Sequence, residues 1–135
     1  MTGGSPPFES LDFLYTPSAD VAADMEQFAA ELGATVEFAI EAYGTRVAMV
    51  RLATGPPAIL FTDHLDGDRP IMVYRVADLD AAVEQLMQQG FDPGPQFGIP
   101  HGPIHSFATP SGHRVAIYEL TRPGAAERFA GRRDF

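Results

Sequence analysis

Apolar and polar positions follow two periods along this chain, and the chain runs through the same series of periods twice. Leu11 to Tyr15 is apolar and aromatic ahead of Pro17, which predicts a short strand ending in a turn. From Ala19 the spacing becomes helical: Val21, Met25, Phe28 and Leu32 recur at four, three and four, and Gly33 supplies the stop. Thr35 to Ala42 and Thr45 to Leu52, rich in Val, Phe, Ile and Met, read as strands about a Tyr43-Gly44 turn. Gly55-Pro56-Pro57 breaks the run, and Ala58 to Phe61 predicts a fourth strand. The polar stretch Thr62 to Asp68 is a link, after which the order repeats. Pro70 to Val76 predicts a strand, and Asp78 caps a helix with Leu79, Val83, Leu86 and Met87 on one face and Gly90 at its stop. A weak strand within Phe91 to Ile99 follows, then strands at Ile104 to Thr109 and Arg114 to Leu120.

The two series are diverged copies. Asp20-Val21-Ala22-Ala23-Asp24-Met25-Glu26-Gln27-Phe28 and Asp78-Leu79-Asp80-Ala81-Ala82-Val83-Glu84-Gln85-Leu86 stand 58 positions apart with Asp, Ala, Glu and Gln in register. Phe13 pairs with Ile71 and Gly44 with Gly102 at the same offset, whereas Gly55 and Gly112 pair at 57, so one residue has been dropped between the glycines. One strand-helix-strand-strand-strand unit exposes a sheet face, so two must cooperate to cover or enclose it. The expected fold is α+β: two βαβββ units in tandem (11–64 and 69–121) forming a curved mixed sheet, with helices outside and a cleft between the copies. Such a seam is the default place for a small molecule. Residues 1–10 read as a loose leader, and 122–135 as a C-terminal extension with a short helix over Ala125 to Ala130.

At 135 residues the chain is one domain, long enough to bury a core without staples. The absence of cysteine removes disulfides and thiolate zinc sites and fits a reducing cytoplasm. A formal charge of -9 disfavours nucleic acid and anionic membrane as partners, and no apolar run approaches the length of a membrane span.

The helix start Val76-Ala77-Asp78-Leu79-Asp80-Ala81-Ala82 and the turn Thr109-Pro110-Ser111-Gly112-His113-Arg114-Val115, on top of the duplication, resemble the vicinal oxygen chelate superfamily. That superfamily includes glyoxalase I, extradiol dioxygenases and bleomycin-resistance proteins. The resemblance covers Leu11 to Leu120 and implies, for the enzymes, a metal held by one ligand from the first and one from the last strand of each unit. The internal repeat carries those places to Phe13, Ile59, Ile71 and Ala116, all apolar. Sliding the register one residue either way, to Asp12, Ala58, Pro70 and Val115 or to Leu14, Leu60, Met72 and Ile117, makes no site either. No metal and no cofactor is therefore expected, and the resemblance points to the metal-free members that bind a small molecule in the same cleft. It also implies a homodimer.

Alternation along the strands would line that cleft with Tyr15, Phe61, His105, Phe107 and Tyr118, the candidate ligand-binding residues, as stacking and hydrogen-bonding groups. His105 is also the candidate general base; otherwise it is a satisfied structural residue. His101 and His105 are four apart, but Pro100 and Pro103 exclude a helix there, so a shared metal site is a minority reading. His113 reads as a turn residue and His64 as a solvated linker residue. The tail from Phe129 to Phe135, basic with two phenylalanines, would close the cleft, cross to a second subunit or fray. The expected function is binding of an apolar or aromatic small molecule. The alternatives are a lyase, isomerase or dioxygenase with an atypical metal site or metal-free His105 catalysis, and an interaction protein with a vestigial cleft.

Overall fold

The computed structural model describes residues 7–92, 94, 96–99 and 101–135, with the side chains of 97–99 and 126 left out. Its elements run β1 (Phe8–Pro17), α1 (Val21–Leu32), β2 (Thr35–Ala42), β3 (Thr45–Arg51), β4 (Ala58–Thr62), β5 (Ile71–Val76), α2 (Leu79–Gln88), β6 (Gln96–Ile99), β7 (Gly102–Ala108), β8 (Arg114–Glu119) and α3 (Ala125–Phe129). The expected order holds through both copies. The leader is corrected: residues 8–10 already belong to β1, because Phe8 and Ser10 pair with Val76 and Arg75 on β5.

All eight strands form one open sheet in the order β2-β3-β4-β1-β5-β8-β7-β6. Each copy contributes four neighbouring strands, and the first strands of the copies, β1 and β5, meet antiparallel at the centre. Within a copy the first and last strands are parallel, β1 to β4 and β5 to β8. This arrangement is the physical meaning of the repeat: neither half-sheet has its central edge covered until the other half pairs with it.

Local chemistry sets the helix ends. The Asp20 and Asp78 carboxylates accept the backbone N–H of Ala23 and Ala81 at 3.0 and 3.1 Å, capping donors that the first turn leaves unpaired. Gly33 follows α1 with φ +71°, the left-handed conformation that favours glycine. Tyr43 (φ 54°) and Gly44 (φ 76°) both take positive φ, as the two-residue β2–β3 hairpin turn requires.

Both long helices cover the same side of the sheet. Val21 and Met25 of α1 pack with Ala39, Ala48, Val50 and Phe61, and the two alanines let the helix approach closely. Leu79, Ala82 and Leu86 of α2 pack with Val76, Phe107 and Ile117. The opposite face carries the third cluster, including Phe13, Phe38, Met49, Leu60, Ile71, Val73, Ala116 and Tyr118, which surrounds the cleft. Among the described residues no helix is long and apolar enough to cross a membrane.

Candidate functional site

The cleft face encloses a cavity of about 660 Å³. Its floor comes from the central strands: Phe13 and Tyr15 of β1, Ile71 and Val73 of β5, Leu60 of β4 and Ala116 of β8. Phe38 and Ile40 of β2 form one wall, and Ile104 of β7 with His101 the other.

The four strand places expected at Phe13, Ile59, Ile71 and Ala116 are thereby corrected at one position. The parallel pairings set Phe13 opposite Ala58 and Ile71 opposite Arg114, so the offset between last strands is 56 and Leu60, not Ile59, matches Ala116. Ile59 packs on the helix side beside the α1 cluster. The corrected set is Phe13, Leu60, Ile71 and Ala116. Its hydrocarbon side chains present no lone pair to a divalent cation, so these residues do not fit the metal that the resemblance implies for the enzymes. Among the described residues no three His, Asp or Glu side chains group as a metal site elsewhere.

Of the candidate ligand-binding residues, Tyr15 lines the cavity. Tyr118 lies one layer back, 2 % exposed, with its ring 5.7 Å from that of Phe13. Its hydroxyl donates to Asp12 Oδ2 at 2.5 Å, beside the register shift between Leu11 and Phe13. Burial and the adjoining carboxylate push the Tyr118 phenol upward, so it stays a donor.

Phe61, His105 and Phe107 are corrected, because all three face away from the cavity. Phe61 meets Phe28 of α1 with ring centroids 4.9 Å apart, and Phe107 belongs to the α2 cluster. His105 shares the Phe107 side of β7, two residues away on the same face, and its Nδ1 is buried without a hydrogen-bond partner. Acid–base work in the cleft by His105 is therefore overturned by strand geometry, and with it the site shared with His101. The cavity faces of β3 and β7 pair Val47 with Thr62 and Ile104 with Tyr118, so the true offset there is 57 and one residue of slip exchanged the faces.

His101 lines the cavity and stacks at 5.2 Å from Phe13. Burial lowers its pKa, partly opposed by Asp12 and reinforced by Arg122, so the neutral imidazole is favoured. His64, expected in solvent, stands at the cavity rim 5.9 Å from the Tyr15 ring. Its Nδ1 is 2.5 Å from Thr62 Oγ1, and its Nε2 is 3.4 Å from the Tyr15 hydroxyl. His113 is exposed, and its backbone closes the turn with Thr109.

The tail docks in cis along the outer edge of β2. Gly131 N–H donates to Glu37 O, Ala39 N–H to Arg132 O and Asp134 N–H to Ala39 O, at 2.7, 2.8 and 2.7 Å. The Asp134 carboxylate accepts Glu41 N–H at 2.8 Å and Arg132 through two nitrogens, which holds its pKa down. This docking sets Phe129 into the cavity wall, 5.8 Å from Phe38, and brings Arg132 to the rim.

No family model and no curated protein sequence matches the chain. Solved structures do match. The methylmalonyl-CoA epimerase from Mycobacterium tuberculosis superposes with a TM-score of 0.73 at 20% identity, covering 93% of this chain and 97% of that one. A second methylmalonyl-CoA epimerase gives 0.71 at 14% identity over 88% of this chain and 100% of the other. A Streptomyces coelicolor epimerase variant in complex with 2-nitronate-propionyl-CoA gives 0.68 at 16% over 85% and 99%. The topology, the paired units and these matches agree: the chain has the vicinal oxygen chelate fold.

Proposed function

We infer that this protein binds an apolar or aromatic small molecule in its cleft without a metal ion. The observation that carries this reading is the corrected quartet: where a metal would need four donors, Phe13, Leu60, Ile71 and Ala116 turn hydrocarbon toward a 660 Å³ cavity. A cavity of that size suits a drug-sized ligand, and its walls reward burial at roughly 25 cal/mol per Å² of apolar surface. The cytoplasmic setting and the homodimer belong to the same proposal, and sedimentation tests the dimer.

Ile40→Trp provides the test. The chain has no tryptophan, so the substitution places a single fluorophore in the cavity wall while filling part of the space. Calorimetric titration of the natural chain with bicyclic aromatics should show saturable binding, and Ile40→Trp should weaken it with ligand-dependent change in indole emission. Absence of saturable binding by the natural chain would refute the reading.

A second reading is an isomerase. Structures sharing the fold are methylmalonyl-CoA epimerases, one in complex with methylmalonyl-CoA, and His101 here presents a neutral imidazole to the cavity. A neutral imidazole can accept a proton. Deuterium incorporation at C2 of methylmalonyl-CoA, lost in His101→Gln, would favour this reading; no incorporation would remove it.

A further inference from the structure

The hydrocarbon lining has one concentrated polar feature, at the end of β1 and β4. Thr62, the last residue of β4, is fully buried, and its hydroxyl meets His64 Nδ1 at 2.5 Å. The other ring nitrogen of His64 faces the Tyr15 phenol at 3.4 Å. The Tyr15 titration is raised mainly by burial, so the phenol stays protonated.

A phenol oxygen has three hydrogen-bonding valences, one proton and two lone pairs. His64 engages one of them, as donor or as acceptor according to which ring nitrogen of His64 holds its proton. The others remain for a molecule in the cavity. Their complement is uncharged, since among the described residues the lining contains no Asp or Glu, and the Arg132 guanidinium is held by Asp134 through two nitrogens. A charged ligand would leave water for a hydrocarbon wall without a free counter-ion.

We propose that Tyr15, positioned by His64 and Thr62, is the polar anchor of the site, and that the ligand is an aromatic or apolar molecule bearing one neutral oxygen function, a ketone or a hydroxyl, bonded to the Tyr15 phenol. This rests on the cleft-binding reading and narrows it to a chemical class. Tyr15 is a recognition residue here; His64 and Thr62 are positioning residues.

The test is a matched series on one skeleton: naphthalene, 2-naphthol, 2-acetylnaphthalene and 2-naphthoate, titrated into the full chain and followed by ¹H–¹⁵N NMR. One net hydrogen bond corresponds to roughly 2- to 10-fold in affinity, so the ketone or the alcohol should exceed naphthalene by about that factor. The ketone leading would mean that the ligand takes the phenolic proton, left free when His64 Nε2 donates; the alcohol leading, that it takes a lone pair. Naphthoate should bind more weakly than naphthalene. Tyr15→Phe should erase the advantage of the oxygenated ligands over naphthalene, and His64→Ala, at an exposed position, should reduce it. Equal affinity across the series, or naphthoate binding tightest, would overturn this inference alone. No binding by any of the four would overturn it together with the cleft-binding reading.

Discussion

Phe129→Ala tests whether the C-terminal tail is a wall of the site. The ring is half-buried and packs at 5.8 Å and 49° against Phe38, and it faces a cavity that already exists. Truncating a fully buried phenylalanine costs about 3–5 kcal/mol, including the penalty for the void left behind. Here part of the ring is in contact with solvent, and the deleted atoms merge with open space without making a new void, so the loss should be about 1–2 kcal/mol. In urea this should lower the unfolding midpoint without changing the slope, because little of the total buried surface is lost. The same deletion removes aromatic contact from the ligand, and a bicyclic aromatic should bind about 3- to 10-fold more weakly, equivalent to roughly 1 kcal/mol. Stability and affinity both unchanged within about 0.5 kcal/mol, the range of an ordinary exposed position, would show that the tail does not pack into the cleft in solution.

Other consequences are as specific. Burial lowers the His101 pKa, so its contribution to stability is present above the unfolded value near 6.5 and is lost as pH falls through the folded value. Urea stability and affinity for an uncharged aromatic should therefore both decline on acidification, with Asp12 and Arg122 as the charges facing this ring, and His101→Gln should flatten that part of the profile. Gly102→Ala should destabilise by more than about 2 kcal/mol in the same urea assay, because φ is +155° and the new Cβ would stand 2.0 Å from the Glu119 carbonyl oxygen. Asp134→Ala removes the acceptor of Glu41 N–H and the partner of Arg132, and it should speed hydrogen exchange at Glu41, Ala39 and Gly131; exchange unchanged there would show that the tail does not depend on that carboxylate.

The repeat made the architecture readable, because the Asp20 and Asp78 caps, the helical apolar spacing and the turn glycines each carry a local signal that survives divergence. The faces of the strands were harder, and for a definite reason. Side chains alternate with period two, so a single uncounted deletion in the second copy reverses every inside–outside assignment downstream of it. That slip placed Ile59 and Phe61 in the cleft where Leu60 belongs, and it exchanged His105 and Phe107 for Ile104 on β7. It also hid the polar cluster. Once Leu60 faces inward, alternation carries Thr62 and then His64 to the same side, a signal present in the sequence but read with the wrong parity. Tyr15 kept its place because the offset of 58 between β1 and β5 is the true one, upstream of the deletion. The docking of the tail was open among three outcomes, since backbone pairing of residues 131–134 with the β2 edge leaves no compositional trace.

The central claim is a cleft that binds hydrocarbon without a metal, and one titration addresses it directly. Affinity for 2-acetylnaphthalene should be measured on protein dialysed against chelator, then again after adding nickel, cobalt, zinc or manganese in turn. The account predicts saturable binding in the chelated sample with the same dissociation constant in all the others. Binding that appears only when a divalent ion is restored, or tightens tenfold with one, would contradict it.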